Sequence, residues 1–458
     1  MPPDTQPSAS APVAAQKTAG LSQPAGLSQP AGLAHAWRAL RHRNFRLFFG
    51  GQTISLIGTW MTRVATSWLV YRLTKSALLL GTVGFAGQIP TFLLAPFAGV
   101  VVDRIDRRKV LVWTQTLAMV QALALAWLTL SHRINIGEVL ALSALQGVIN
   151  AFDMPGRQSF MIRMVEDRAD LSNAIAINSS MVNTARLIGP SLAGLLIAAT
   201  NEGWCFLVDG ISYIAVIASL LMMRVAHEAP HHHGATMLEQ LRQGWVYVSD
   251  SVPIRCILLL FSVLSLMGWP FMVLMPVFAA QVLHGGPHTL GFLMGAVGVG
   301  SLASALSLVV RKSVRGLLKM IPMAAAVFGI GLISFGLSRS LWLSLPMMLV
   351  TGFGMMQGLT TSNTILQTLV DEKMRGRVMS YYTMAFVGMA PFGSLMAGAL
   401  AHAIGAPRTV IISGVACILG ALWFWSRMTR IRAVMRPIYQ RLGIVPEPQV
   451  VVEEAGEG

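Results

Sequence analysis

The sequence predicts an all-α membrane protein with twelve transmembrane helices in two six-helix pseudo-repeat halves. Three observations predict it. Hydrophobic residues make up 54% of the chain and charged residues only 12%, whereas a soluble domain carries about 25% charge. The apolar residues fall in long runs, and a run of roughly 20 is what an α-helix needs to cross the hydrocarbon core. The basic residues cluster between those runs, alternately dense and sparse.

These observations exclude several classes. A chain so poor in charge cannot clothe a soluble globule in polar groups. The net charge of +15 does not imply nucleic acid, because the Lys and Arg residues are spread among the loops rather than gathered on one face. Cys205, Cys256 and Cys417 are far apart and form neither a zinc knuckle nor a disulfide framework. Each reads as a small buried hydrophobe. None of the six lysines follows a glycine, so there is no P-loop and no ATPase. No nucleophile and base fall at one depth, so the chain does not read as an enzyme, and it calls for no cofactor or metal.

Residues 1–40 form an N-terminal tail rich in Pro, Ala, Ser and Gln, with the repeat AGLSQP-AGLSQP-AGL from Ala19 to Leu33. That composition predicts disorder. The tail has no continuous apolar stretch of the kind a signal peptide needs. Spans are predicted near 47–71, 78–102, 109–130, 136–156, 173–199, 204–223, 254–282, 289–310, 316–338, 342–364, 377–402 and 407–427. They define an N-terminal half over 41–223, a central cytoplasmic loop over 224–253, a C-terminal half over 254–427 and a cytoplasmic tail over 428–458. With the N-terminus in the cytoplasm, 27 of the 34 basic residues lie inside. Only Arg72, Lys75, Arg133, Arg339 and Arg408 lie outside, as the positive-inside rule requires. Arg63 and Arg186 fall within spans. A missed or surplus span would invert every later loop and spoil this alternation. The expected location is the inner (plasma) membrane, with both termini cytoplasmic.

The halves show an approximate repeat. Gln146-Gly147 and Gly189-Pro190 in the first half find counterparts in Gln357-Gly358 and Ala390-Pro391 in the second. Each half also has a basic connection after its second span, Asp103 to Lys109 and Arg311 to Lys319. Many transporters are built from two such halves, with the substrate site between them.

The strongest local motif is Gly99-Val-Val-Val-Asp103-Arg104-Ile-Asp106-Arg107-Arg108-Lys109. Gly99 permits close helix contact, and Asp103 is placed to accept hydrogen bonds from a helix N-terminus or an arginine. This segment resembles the loop signature of the major facilitator superfamily, G-x-x-x-D-R-x-G-R-R, with Asp106 in place of the second glycine. The resemblance implies the major facilitator fold and a gate-latch role for Gly99, Asp103, Arg104 and Arg107. Arg186-Leu-Ile-Gly189-Pro190-Ser-Leu-Ala-Gly194 is similar to the G-P-x-x-G-G element of the drug:proton antiporters, with its last glycine pair reduced to Ala193-Gly194. A structural kink and an antiport-specific role both remain open there. Pro155-Gly-Arg157-Gln-Ser, Leu171-Ser-Asn173-Ala-Ile-Ala-Ile-Asn178-Ser, Phe45-Arg46-Leu-Phe and Gly58-Thr-Trp60-Met resemble the branch of bacterial siderophore exporters, like the enterobactin exporter, and macrolide-efflux-like proteins. The likeness covers most of 40–425.

Charges inside spans are functional candidates by default. Arg63 reads either as a partner for an anionic substrate or as half of a structural ion pair. For Arg186 a structural hydrogen bond is favoured. Asp153, read as closing the fourth span, and Asp209, in the sixth, are the candidates for proton coupling, with helix capping and ion pairing as their structural alternatives. By the resemblance, spans one, four, seven and ten line the cavity. That makes Gln52, Gln146, Asn150, Trp269, Gln357, Thr361 and Asn363 cavity candidates. The glycines near Gly291, Gly295 and Gly298 read as close helix packing, and His231-His232-His233 as a solvated loop.

The expected function is secondary export of a small organic molecule, siderophore or drug-like, by alternating access with proton antiport. An importer or uniporter of the same fold, and a non-transporting sensor or assembly subunit, are the alternatives. The partners expected are a small-molecule substrate, protons and the lipid bilayer, with the chain acting as a monomer.

Overall fold

The protein is described by a computed structural model covering residues 38–161, 164–165, 167, 170–224, 237–309 and 316–441. The 19–33 repeat, Lys17, Arg163, Arg168, His231 to His233, Arg311, Lys312 and Arg315 lie outside the described residues, as does the side chain of Asp103.

Among the described residues the chain is helical, without a strand. In hydrocarbon each backbone N–H and C=O must be satisfied within its own segment, and a helix does this. Twelve long helices match the predicted spans. The first six are α1 (Arg43–Thr74), α2 (Ala77–Arg104), α3 (Arg107–Leu130), α4 (Ile136–Met161), α5 (Leu171–Ala199) and α6 (Glu202–Met222). A shorter α7 (Met237–Asp250) follows. Next comes α8 (Val252–Val282), broken by π-turns at Leu264–Gly268 and Phe278–Val282. The others are α9 (Pro287–Val309), α10 (Leu317–Leu337), α11 (Leu341–Leu369), α12, α13 (Ala406–Ser426) and a last surface helix, α14 (Met428–Arg441). Helix α12 joins Glu372–Thr383 and Ala390–Ile404 through a π-turn at Met384–Gly388. Among the described residues nine helices are apolar enough to cross a membrane by composition alone. The three long ones that fall short, α1, α4 and α11, carry most of the polar candidates named above.

The ends follow ordinary capping chemistry. Ser76 accepts from Leu79 N at 3.3 Å to start α2, and Asn201 accepts from Gly203 N at 2.9 Å to start α6. Asp106 accepts from Arg108 N at 2.9 Å to start α3. The residue that departs from the family's glycine therefore serves as a helix cap. Trp113, Leu117, Val120 and Trp127 form an exposed stripe along α3. Their spacing places them on one helix face, where lipid would cover them.

The cores show how the helices are arranged. On the side away from the termini, one continuous cluster joins both halves, from Val64 and Leu69 on α1 to Phe278, Leu290, Phe335 and Val410. On the terminal side the core divides. Phe45, Phe48, Leu111, Phe160, Ile177 and Leu220 pack within the first half; Ile257, Phe261, Ile321, Ile365 and Phe424 pack within the second. The halves touch chiefly through two helix pairs, α2 with α12 and α5 with α9, with smaller contacts of α8 on α1 and α2 and of α9 on α1, and glycines make both main crossings. A Cβ on Gly81 would stand 2.9 Å from Gly398 Cα, and one on Gly398 would stand 2.8 Å from Gly81 Cα. Gly194 and Gly291 relate in the same way, at 2.8 and 2.9 Å. Gly295 packs on Ser191 and Gly298 on Leu187, as the glycine spacing predicts. Towards the terminal side, Gly99 and Gly376 have nothing within 4 Å of where a Cβ would stand. The halves are therefore closed together on the far side and parted on the terminal side.

Three boundaries differ from the sequence reading. The central interval contains α7, which docks on α12: Gly244 packs on Tyr381, and the Trp245 and Tyr381 rings are 6.0 Å apart. The C-terminal interval contains α14, which buries Met428, Ile431 and Met435 and exposes Arg430, Arg432 and Arg436. Low mean hydropathy hid both helices; each is amphipathic and lies on the bundle rather than crossing it. The last residues assigned to the N-terminal tail form a 3-10 turn, Arg38–Arg41, docked on α5. There Ala39 N donates to Asn173 Oδ1 at 2.9 Å, and Arg38 pairs with Asp170 at 3.4 Å.

Gly194→Leu is expected to wedge the far side open. With Cys205, Cys256 and Cys417 replaced, a Ser394→Cys reporter at the other crossing should react several-fold faster with an impermeant maleimide applied from the far side. Unchanged labelling would show that the α5–α9 crossing does not hold that side shut.

Candidate functional site

The polar residues that converge inside the first half do so around the middle of α1. Two pairs of residues, each one turn apart, lie there: Gly58 and Thr62 meet α6, and Trp60, with Arg63 on its ring, meets α5. Gly58 leaves the space that Asp209 of α6 fills: a Cβ there would lie 2.7 Å from Asp209 Oδ1. Thr62 Oγ1 donates to Asp209 Oδ2 at 2.8 Å. Asp209 is 2% exposed, and its Oδ1 has no hydrogen-bond partner. Among the described residues no cation pairs with it. The ion pair considered for Asp209 is thus not formed.

Gly189 of α5 lets that helix lie directly on Trp60, since a Cβ there would come 2.5 Å from Trp60 Cβ. The contact carries Arg186, one turn earlier, onto the indole. The Arg186 guanidinium carbon lies 5.1 Å from the Trp60 ring centroid, and that of Arg63 lies 4.6 Å from it. Such distances give cation–π attraction, worth about 0.5–2 kcal/mol each. The Arg63 side chain is exposed, although it stands near the middle of the membrane-spanning α1. Arg186 Nε and Nη1 are buried without a hydrogen-bond partner. The structural hydrogen bond favoured for Arg186 is absent at those two atoms. The depth of the two arginines was the available signal. Arg63 is eleven residues from the far end of α1 and Arg186 thirteen from that of α5, or about 16 and 20 Å at 1.5 Å per residue.

Asp153 is a different kind of carboxylate. It does not close α4, which continues to Met161 through Pro155. Its Oδ1 accepts from Gln115 Nε2 at 2.7 Å and Thr114 Oγ1 at 3.0 Å, and its Oδ2 pairs with Arg157 one turn on. The helix-cap alternative is therefore corrected: Asp153 is an interior clamp between α3 and α4, with both oxygens occupied.

The other candidates are spread along α1, α4, α8 and α11. Gln52 is buried on α1. Gln146 Nε2 donates to Asn150 Oδ1 at 3.1 Å along α4. Gln357 Oε1 accepts from Ser304 at 2.8 Å and Ser307 at 3.3 Å, so it ties α11 to α9 instead of pointing into open space. Thr361 is fully buried, and Gln367 Nε2 donates to Asn363 Oδ1 at 2.8 Å. Trp269 follows the first π-turn of α8 and meets Phe386, in the π-turn of α12, edge-on at 4.6 Å. Ser265 also donates to the Phe386 carbonyl, so two π-turns, features common at functional sites, are joined directly. Of the latch residues, Gly99 is uncrowded, Arg104 is exposed and Arg107 half-buried, at the parted end of the bundle. Gly189, Pro190 and Gly194 lie along α5 where it touches α1 and α9.

Twelve long helices in two clusters, parted at one end around buried charges, define a secondary transporter of the major facilitator class. The model of the transmembrane secretion effector family of that superfamily matches residues 34–452, and the chain belongs to it. The chain is 26% identical over 391 residues to the staphyloferrin A transporter of Staphylococcus aureus, covering 84% of this chain and 97% of that one. It is 25% identical over 372 residues to the multidrug efflux pump Tap of Mycolicibacterium fortuitum, covering 79% and 90%. Among solved structures, a bacterial homolog of the human lysosomal transporter Spinster, inward-facing and unoccupied, superposes with a TM-score of 0.63 at 12% identity. That match covers 88% of this chain and 99% of the other and shows the shared fold.

Asp153→Ala would leave Arg157 without its partner and Gln115 and Thr114 without their acceptor. A loss of about 3–5 kcal/mol is expected, read as earlier unfolding in a denaturing-detergent titration of purified protein. Stability equal to the parent would remove the clamp assignment.

Proposed function

We propose that the protein exports a small organic molecule across the plasma membrane by alternating access, in exchange for protons, with both termini in the cytoplasm. The observation that carries this reading is the division of the core into two clusters on the terminal side and its fusion into one on the far side. Two bodies joined at one end can rock about the join, exposing a central site first to one side and then to the other. The excess of Lys and Arg in the loops of the terminal side supports a cytoplasmic location for that side. The opening then faces inward, where an exporter collects its cargo. Arg104 and Arg107 stand at that mouth, placed to latch it when the halves close there. The relatives include a siderophore transporter and a multidrug efflux pump, and their names support an organic cargo moved outward.

Coupling to protons requires a carboxylate that gains and loses a proton during the cycle. Asp209 suits the role better than Asp153, because it has no cation partner and one bare oxygen. Its partner Thr62 adjoins Arg63 on α1, so a change at the carboxylate can reach the central space through one residue. The chain contains a complete pair of halves, and we propose that it works as a monomer.

The test uses everted vesicles with an acidified lumen and a pH-gradient dye, challenged with siderophores, macrolides and cationic dyes. A compound that collapses the gradient only when the protein is present is expected. Asp209→Asn should abolish this response, whereas Asp153→Asn should retain it once corrected for protein amount. Solute movement without any proton flux would instead support a uniporter and remove the antiport reading.

A further inference from the structure

We infer that Arg63, Trp60 and Arg186 form an anion-recognition site, so that the transported molecule is an organic oxyanion presenting a carboxylate or phosphate to both guanidiniums. The inference rests on the transporter reading above and names the substrate's chemical class.

Two cations share one indole ring, at 4.6 and 5.1 Å. Like charges so close repel, and burial strengthens the repulsion by lowering the effective dielectric. Structural arginines inside a membrane are normally paired with a carboxylate or with backbone carbonyls. Among the described residues neither solution is seen for Arg63 or for Arg186 Nε and Nη1. Among the described residues no carboxylate lies within ion-pair reach of either group. The nearby Asp209 gives one oxygen to Thr62 and leaves the other bare. Arg186 Nε and Nη1 are donors withheld from water and from protein alike. An unsatisfied buried donor on a charged group is costly. The cost disappears when an external anion enters, because guanidinium groups take carboxylate or phosphate oxygens through paired, charge-assisted hydrogen bonds.

The surroundings suit an entering ligand. The exposed Arg63 side chain is accessible to an entering ligand. Arg186 stands where α5 meets α9, since a Cβ on Gly298 would lie 3.3 Å from Arg186 O. An anion held there would touch the seam between the halves. Trp60 keeps both cations fixed and is only 9% exposed, so it acts as a platform beneath the guanidiniums. A cationic substrate would meet two positive charges and would be disfavoured there.

The experiment needs neither transport nor a proton gradient. Purified full-length protein in detergent is titrated with inorganic phosphate, citrate and 1-naphthoate. The neutral 1-naphthalenemethanol and the cationic 1-naphthylmethylamine serve as size-matched controls. Thermal unfolding and tryptophan fluorescence are read together. At least one of the three anions should raise the melting temperature saturably, and the neutral and cationic analogues should not. Arg63→Gln and Arg186→Gln should each weaken that anion's binding roughly tenfold or more, with Arg63→Lys intermediate. Arg186→Leu should also melt higher than the parent without ligand, because it removes a buried unpaired charge. A merely structural arginine would give lower melting.

Equal binding of the cationic or neutral analogue, no anion-specific stabilisation at millimolar concentration, or anion binding that persists in both glutamine variants would overturn the inference. Anion binding in detergent without movement in vesicles would instead leave the site standing and remove the export reading.

Discussion

The close approach of helix backbones at Gly81 with Gly398 and at Gly194 with Gly291 is the constraint on which the rest of the structure depends. In a bilayer the lipid tails are as apolar as leucine, so helices gain little by hiding apolar side chains from them. Association must come from contact, and contact is densest where side chains are smallest. Both crossings lie on the far side, and there one apolar cluster runs through the two halves. Where the glycine contacts end, the core splits in two. The opening on the terminal side follows from where the small residues stand.

The α5 crossing also builds the charged site. Gly194 and Pro190 place α5 against α9, and Gly189 places its other face on Trp60. One helix therefore brings the seam between the halves and the arginine pair into a single element. Movement of α5 against α9 during closure would carry Arg186 with it. The Gly-Pro element acquires a mechanical meaning here that its sequence alone left open between a kink and a functional role.

The polar groups within the bundle fall into two kinds. Asp153 with Arg157, Gln115 and Thr114, and Gln357 with Ser304 and Ser307, bond to one another and fasten neighbouring helices, with Gln115 Oε1 and Gln357 Nε2 left bare. Arg63, Arg186 and Asp209 are incompletely satisfied. Proteins tolerate incompletely paired buried charge chiefly where function needs it. The distinction separates fastening from transport more sharply than residue type, since both kinds contain arginine and aspartate.

The twelve spans, and the candidacy of Arg63, Asp153 and Asp209 as charges within them, could be read from the residues, because hydropathy and burial cost act locally along the chain. The amphipathic α7 and α14 escaped that reading, since a half-apolar helix has the average hydropathy of a loop. Which buried charges are paired was not legible, because pairing depends on neighbours far apart in sequence. Arg186 appeared satisfied and is not; Asp153 appeared terminal and is interior. The sequence by itself determined that the chain is a twelve-span membrane protein, since length and polarity of each run set whether it crosses lipid, and its Gly99 to Lys109 loop resembles the major facilitator signature. Only the tertiary structure decided which side stands open and which charges wait for a partner, since both depend on contacts between helices that hydropathy does not encode.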